Sequence, residues 1–502
     1  MDLPTDPMAA NREKLAALRA AGVDPYPHRY ARTHLASAVH ADFAALEEGA
    51  SISVAGRLRA LRPMGKASFA HVEDPTGRLQ LYLRRDILGP EAYGLVKLLS
   101  LGDLVGARGT VFRTRTGEVS LRVEQLAVLA KTVRPMPVVK EKEGVRYDAF
   151  QDREARYRQR YLDLMLNPET REVFRRRAET LRSLRRQLDA RGFLEVETPV
   201  LQAVYGGAAA RPFRTHHHAL DMDLYLRISE ELPLKKLLVG GLERVYELGR
   251  VFRNEGLDRQ HNPEFTLLEF YWAYADYSDA MDLVETLIRQ TAEDVAGTTT
   301  LPVPGEEAAT FDLGAPFERR SLPLLLSEAT GTDCLALGDA ELRALAERHG
   351  AELSGPWHRG KLLEKLFDLT VAPQLRAPTF VTDYPKIISP LAKAHREHPE
   401  QLVERFELFI LGEEYANAFS ELNDPDDQRR RFEDQHRLRE AGDEEAHPVD
   451  DDYLVALEHG LPPAAGVGIG VDRLVMLLTG ASAIRDVLLF PHMRPRDAEA
   501  EA

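Results

Sequence analysis

The stretch Arg244–Tyr274, RVYELGRVFRNEGLDRQHNPEFTLLEFYWAY, decides the fold of the larger part of the chain. Two apolar-rich runs flank a polar seven-residue stretch, Gly256–Asn262, which predicts a long antiparallel hairpin. Alternation places Arg253 and Glu255 on one face of the first strand, and Phe265, Leu267, Glu269 and Tyr271 on one face of the second. An arginine and glutamates in mid-strand are costly to bury unpaired. Either they pair with one another or a ligand supplies their partners.

Two later segments share this character. In Arg405–Asp424, RFELFILGEEYANAFSELND, Glu407 precedes a turn at Leu411-Gly412, and Glu413 and Glu414 follow it. Tyr415, Asn417, Phe419 and Glu421 then alternate with Ala416, Ala418 and Ser420, giving one polar-aromatic face and one small face. Glu407 and Glu414 are hard-oxygen donors of the kind Mg²⁺ takes, and Glu421 suits an ammonium group. An acidic edge strand is the plainer reading. In Gly466–Leu478, GVGIGVDRLVMLL, the glycines permit close backbone approach, and Arg473 opens an apolar helix. Arginine in a first helical turn opposes the helix dipole, which an anion nearby would explain.

At 502 residues the chain is too long for one ordinary core, so two or more domains are expected. Its single cysteine, Cys334, excludes a disulfide framework and a cysteine-built zinc site, and suits a reducing cytoplasm. No apolar run approaches the ~20 residues of a membrane helix. The N-terminus lacks a signal pattern, so export is not expected. Adjacent histidines at His216-His217-His218 point to opposite strand faces, which argues against a metal.

The net charge of −15 conceals an asymmetry, because residues 51–150 hold 17 basic and 10 acidic side chains. A basic segment on an acidic body is the footprint of a module that meets polyanions. Short β-like runs occupy that segment: Ser51–Leu58, Ala67–Val72, Leu79–Leu83, Leu104–Phe112 and Val119–Leu129. Turn signals separate them, and a helical stretch near Glu91–Leu99 follows the third. That pattern fits a five-stranded OB barrel, with an SH3-like barrel as the alternative. Asp152–Leu166 and Thr170–Arg191 read as helices. The charged run Lys140–Glu143 reads as solvated, and the tail after Pro495 as frayed.

Together these motifs resemble one family. Phe252-Arg253-Asn254-Glu255, followed by His261 and Phe265, resembles motif 2 of the class II aminoacyl-tRNA synthetases. Gly468-Ile469-Gly470-Val471-Asp472-Arg473 resembles their motif 3. Arg191–Pro199, RGFLEVETP, resembles motif 1, the element of the dimer interface. Within that class the chain is similar to bacterial-type lysyl-tRNA synthetases. The likeness runs from NREKLAALRAAGVDPYP at Asn11 through Met64–Phe69, Arg156–Leu164 and Gly206–Phe213 to Phe490-Pro491.

The resemblance implies an α+β multidomain protein. Residues 1–135 would be an N-terminal helix and a five-stranded OB-fold anticodon-binding barrel, and 136–150 a linker. Residues 151–502 would be a class II catalytic domain on an antiparallel sheet flanked by helices, with a mostly helical insertion around 279–375. ATP would be bound by Arg253, Glu255, His261, Phe265, Glu414 and Arg473, with Arg253 and Arg473 catalytic. Glu407 and Glu414 would hold Mg²⁺. Gly207 and Glu231 would face the α-ammonium of L-lysine, and Glu269, Tyr271 and Glu421 its ε-ammonium, with Asn417 and Phe419 completing the pocket. In the barrel, Phe69 would stack on an anticodon base of lysine tRNA and Gln80 would read a uridine edge. A cytoplasmic homodimer with no membrane attachment follows from the same likeness.

Three positions depart from the family pattern. Gln260 stands where an arginine is usual before the motif 2 histidine, with Arg259 one place earlier. Ser229-Glu230-Glu231-Leu232-Pro233 replaces a Pro-Glu-Leu-Tyr run. In the last barrel strand Gln125 replaces a glutamate, with Glu124 adjacent, and a one-residue bulge would restore that contact. The alternatives are an aspartyl- or asparaginyl-type ligase, disfavoured by acidic residues at Glu269 and Glu421, and a catalytically silent paralogue that binds RNA or regulates. Retention of Arg253, Phe265, Glu407, Glu414 and Arg473 argues against the latter.

Overall fold

The computed structural model describes residues 6–495 except 48, 138–139, 143–144, 148–149, 307, 354–356 and 441–445. The tail beyond Pro495, and Glu143 of the charged run, lie outside the described residues. The chain divides into two compact units, Met1–Phe150 and Gln151–Ala502.

In the first unit, β1 (Ser51–Met64), β2 (Ala67–Asp74), β3 (Gly77–Arg84), β4 (Leu104–Arg113) and β5 (Val119–Ala130) close into a barrel ordered β1-β2-β3-β5-β4. The expected helical stretch after the third strand is present as three short turns between Arg85 and Leu98. Alternate side chains fill the interior, among them Leu58, Val72, Leu81, Leu83, Val111, Leu121 and Val123. Between Arg108 and Gly109 the β4–β5 register slips, leaving Glu124 as the extra residue of a bulge. Gly109 is required there, because a Cβ would lie 1.9 Å from the Arg122 carbonyl oxygen. The bulge anticipated beside Gln125 therefore exists, and both Glu124 and Gln125 are exposed. Residues 136–150, read as a linker, include two short paired strands, Lys140–Lys142 and Val145–Tyr147.

The second unit is built on helix α1 (Pro168–Asp189), β6 (Leu194–Glu195), α2 (Glu231–Val239), β7 (Arg244–Phe252), β8 (Glu264–Ala273), α3 (Tyr277–Ala296) and β9 (Glu318–Ser321). It continues with β10 (Thr379–Pro385), β11 (Leu402–Ile410), β12 (Glu413–Ser420), α4 (Asp451–Glu458), β13 (Ala464–Gly470) and α5 (Val471–Thr479). The eight strands form one sheet ordered β9-β10-β11-β12-β13-β8-β7-β6. It is mixed rather than antiparallel, because both edge pairs, β9–β10 and β6–β7, are parallel. Long connections carrying helices join those edge strands, and only such crossovers permit parallel pairing. Residues 279–375, read as a mostly helical insertion, contain the helices Leu322–Thr330, Asp339–Arg348 and Arg359–Thr370. They also begin inside α3 and include the edge strand β9. The predicted helix Asp152–Leu166 is two helices, broken at Gln159.

One face of the sheet is sealed by α1, α3 and α5, whose Leu184, Leu188, Leu287 and Leu474 pack with Leu268, Phe270, Phe406, Leu408 and Val467. On the opposite face α2 and α4 cover part of the sheet through Leu234, Leu238, Tyr453 and Leu457, against Val245 and Tyr271. The remainder of that face is the floor of a cleft.

The barrel contains a charged pair with no solvent exposure. Lys131 Nζ lies 3.1 Å from both oxygens of Asp103, which also accepts from the Ser100 and Thr132 amides at 2.7 and 2.8 Å. Removing one partner strands the other charge in the interior. Asp103→Ala is expected to lower the stability of the barrel by about 3–5 kcal/mol. Amide hydrogen exchange at Leu58, Leu81 and Val123 in the full-length protein measures it.

Candidate active site

A cavity of about 500 Å³ opens on the free face of the sheet. The predicted hairpin is present, with β7 and β8 in register from Arg244–Trp272 to Phe252–Glu264. Phe265, Leu267, Glu269 and Tyr271 line the cavity from β8 as alternation requires. Arg253 and Glu255 do not lie on the first strand, which ends at Phe252. They sit in the connection, where the Arg253 amide donates to the Pro263 carbonyl at 2.8 Å, and both line the cavity.

Opposite, β11 and β12 supply Glu407, Asn417 and Phe419. Strict alternation would turn Glu414 away from Asn417. A bulge between Leu408 and Phe409 makes Tyr415 the extra residue and returns Glu414 to the cavity. Between these strands runs β13, whose Gly466, Gly468 and Gly470 floor the cleft with backbone. At Gly466 a Cβ would lie 2.0 Å from Glu421 Oε1 and 2.3 Å from the Tyr271 ring, so only glycine fits.

Two arginines line the cavity. The Arg253 guanidinium lies 5.1 Å from the Phe265 ring, and its Nε donates to the Ile228 carbonyl at 3.4 Å. Burial lowers its pKa, opposed by the charges of Glu255, Glu414 and Glu269. Among the described residues no carboxylate lies within ion-pair distance of Arg253. Arg473 donates to the Glu414 carbonyl at 2.8 Å, and its Nη2 lies 3.3 Å from His261 Nε2. His261 is anchored by Asp258 at 2.7 Å. Gln260 lines the cavity, whereas the backbone carbonyl of Arg259 receives the Ile484 amide at 2.8 Å.

The middle is anionic. Glu407 receives Arg405 Nη2 at 2.5 Å, Tyr384 OH at 2.7 Å and Asn417 Nδ2 at 3.2 Å. Burial pushes its carboxyl up to about 7, with Arg405 pulling down and Glu414 pushing further up. Glu414 is less engaged, with Arg473 at 3.6 Å. Glu364 lines the cavity beside them. Among the described residues no three His, Cys, Asp or Glu side chains form a metal cage. Glu407 and Glu414 are hard-oxygen donors of the kind a divalent cation takes.

At the far end Glu269 Oε1 receives Ser229 Oγ at 2.7 Å and the Glu230 amide at 2.9 Å, and Oε2 receives Tyr271 OH at 3.0 Å. Burial pushes Glu269 up to about 7, assisted by the charge of Glu231. Gly207, at φ 85°, presses its backbone against Ser229 and Glu231. The unusual Ser229-Glu230 pair is thereby explained in part. Ser229 bridges to Glu269 and to the Glu231 amide, while Glu230 lies 2.9 Å from Arg227.

Glu421 departs from expectation. It is fully buried, does not line the cavity, and is ion-paired with Lys235, which also lies 2.5 Å from Glu231. Sequence reasoning missed Lys235, Arg405 and Tyr384. The first two had signals: Lys235 is four residues after Glu231 on a helix, and Arg405 shares a strand face with Glu407.

On the barrel, Phe69 is half-exposed and stacks on Tyr82, with centroids 4.9 Å apart and planes at 25°. Tyr82 meets Phe112 at 5.7 Å, and the Arg122 guanidinium lies 4.9 Å from that ring. Gln80, expected to read a uridine edge, has its amide engaged within the barrel. It is buried, receives Ser120 Oγ at 2.9 Å, and donates to Glu118 Oε2 at 2.7 Å. A polar side chain facing the neighbouring strand satisfies itself there.

These arrangements have counterparts in known proteins. Residues 152–494 match the tRNA synthetases class II (D, K and N), and residues 52–129 match the OB-fold nucleic acid binding domain. The chain belongs to the class II tRNA synthetases of that group. It is 52% identical to a lysine–tRNA ligase of Moorella thermoacetica over 99% of both chains. It is 51% identical to one of Pelotomaculum thermopropionicum, over 98% of this chain and 95% of the relative, and 50% identical to one of Enterococcus faecalis, over 97% of each.

If Phe69 provides a stacking platform for an unpaired base, Phe69→Ala should weaken tRNA binding by about 1–3 kcal/mol. Amino-acid activation, which needs no tRNA, should be unchanged. Filter binding and pyrophosphate exchange on the same preparation separate the two.

Proposed function

We infer that the chain is a lysine–tRNA ligase, which activates L-lysine with ATP and transfers the lysyl group to lysine tRNA. The observation that carries this is the sequence of charges along the cleft. Arg253, with no carboxylate in ion-pair distance among the described residues, and Arg473, 3.6 Å from Glu414, line the same cleft as Glu231 and Glu269. Near-full-length similarity to lysine–tRNA ligases supports it.

In this reading the lysine carboxylate attacks the α-phosphorus of ATP and pyrophosphate leaves. Arg253 contacts the α-phosphate and the attacking carboxylate, and steadies the charge that develops between them. Phe265 stacks on adenine, Arg473 covers its other side, Glu255 lies near the adenine, and His261 meets the terminal phosphates. The lysine carboxylate is already a nucleophile, so alignment and electrostatics carry the step without a general base. Gly207 and Glu231 receive the α-ammonium, Glu269 and Tyr271 the ε-ammonium, and Asn417 and Phe419 close the pocket.

Mg²⁺ fits the oxygen donors of Glu414 and Glu407, which the bulge at Tyr415 brings to one wall. Bound there, the ion would neutralise phosphate charge and make pyrophosphate a better leaving group. Arg405 and Tyr384 orient Glu407 for that role.

Phe69 and its neighbouring rings form the stacking surface for the anticodon, and Gln80 would reach a base edge only by giving up Glu118. Leu194, Val200, Leu201 and Val204 are exposed apolar residues in and just after the motif 1 segment, which supports a homodimer through that face. Among the described residues no helix is long and apolar enough to cross a membrane. The lone cysteine, buried and free, fits a cytoplasmic enzyme.

ATP–pyrophosphate exchange across all twenty amino acids tests the assignment. Lysine alone should support exchange, and chelation of Mg²⁺ should abolish it. Exchange with aspartate or asparagine, or none at all, would overturn the reading.

The same assay has an expected pH dependence. Glu269 is held up to about 7, so its carboxylate is progressively neutralised as pH falls through that value. The kcat/KM for lysine should decline on the acid side of about pH 7. Glu269→Gln should lower it about 100-fold and flatten that limb.

A further inference from the structure

The ammonium of Lys235 is the least explained group near the cleft. Its side chain has no solvent exposure, and it sits between Glu231 on its own helix and Glu421 just beyond β12. The rings of Phe419 and Tyr453 lie 5.1 and 5.9 Å from its Nζ. Glu269 and Tyr271 face the same cluster from β8, Arg405 acts on Glu231 from β11, and His447 approaches ahead of α4. His447 brings no charge, because burial first and the Lys235 ammonium second push it down to about 4.

Three carboxylates in a dried site cannot all stay ionised without a cation, since like charges in low dielectric take up a proton. A pocket for an ammonium therefore needs either its substrate or an internal cation to remain anionic. Glu421 shows which applies, because its only ion-pair partner among the described residues is Lys235. Gly466 admits its carboxylate to within close reach of the cavity floor.

We propose that Lys235 is a positioning residue of this pocket: a built-in ammonium that draws Glu231 and Glu421 toward their ionised forms against burial and leaves Glu269 to meet the substrate's side-chain ammonium. This deepens the lysine-ligase reading and rests on it. Lys235 touches neither substrate nor reacting atoms in this scheme.

The test is the pH profile of kcat/KM for lysine in pyrophosphate exchange, with ATP affinity measured separately in the absence of lysine. In Lys235→Met, kcat/KM for lysine should fall about 100-fold at pH 7, and its acid limb should move up by about one pH unit. ATP affinity should stay within about twofold, as expected for a site several residues away from the phosphates. Lys235→Arg, which keeps the charge, should return the limb toward its original place.

A second comparison does not depend on Lys235→Met folding. Glu421→Gln removes one negative charge beside Lys235, so its limb should move to lower pH. Lys235→Met/Glu421→Gln restores the net charge, so its limb should return upward to near that of the unmodified enzyme. An unchanged limb in folded Lys235→Met, equal losses toward lysine and ATP, or identical limbs in Glu421→Gln and the double variant would each overturn the proposal. Failure of the unmodified enzyme to exchange with lysine would instead overturn the underlying functional reading.

Discussion

Keeping buried carboxylates ionised along an open cleft is the constraint around which the second unit is arranged. Glu231, Glu269 and Glu407 all stand on or beside the sheet face, and burial raises the pKa of each. Each is met by a different device. Glu269 is held by a hydroxyl, a backbone amide and a phenol; Glu407 by an arginine, a phenol and an amide; Glu231 by a lysine one helical turn away. Neutral donors leave the charge of Glu269 available to a ligand, whereas Arg405 spends most of that of Glu407 inside the protein. Where a cation enters the cleft, Glu269 and Glu414 have the most charge to offer it.

The glycine strand makes this possible mechanically. With Gly466, Gly468 and Gly470 facing the cleft, β13 contributes hydrogen bonds to both neighbours but no side-chain volume. The acidic residues of β8 and β12 can then face one another across a backbone floor. The opposite face of the same strand carries Ala465, Val467 and Ile469, packed in the main core. One strand thus anchors the fold on one side and leaves space for substrate on the other.

Much of this was legible in the sequence, because it rests on periodicity. The β7–β8 hairpin, the barrel with its helical turns after β3, and the shared face of Phe265, Glu269 and Tyr271 follow from alternation and turn residues. What failed were places where one residue breaks the period. Alternation runs Arg253 on as strand, but pairing stops at Phe252. It turns Glu414 away from its partners, but the bulge at Tyr415 turns it back. The parallel edge strands were invisible because β6 and β9 are two and four residues long, with no pattern to detect. Glu421 was misplaced for a different reason. Its alternation is as expected, yet Lys235, on a helix distant in sequence, pairs with it.

In the proposed reading, the same charges discriminate among the three amino acids in this family's description. Lys235 answers one carboxylate of the group formed by Glu231, Glu269 and Glu421, leaving two negative charges for the guest when all three are ionised. Lysine brings two ammonium groups to that end of the cleft and one carboxylate toward Arg253, so every formal charge finds a partner. Aspartate would bring one ammonium and set its second carboxylate against the buried Glu269, a like-charge contact. Asparagine would leave Glu269 with only an amide. A positive internal group would thus serve selection of a positive substrate: by drawing two of the carboxyls toward ionisation, it works against a neutral, protonated pocket that would accept the amide as readily as the ammonium.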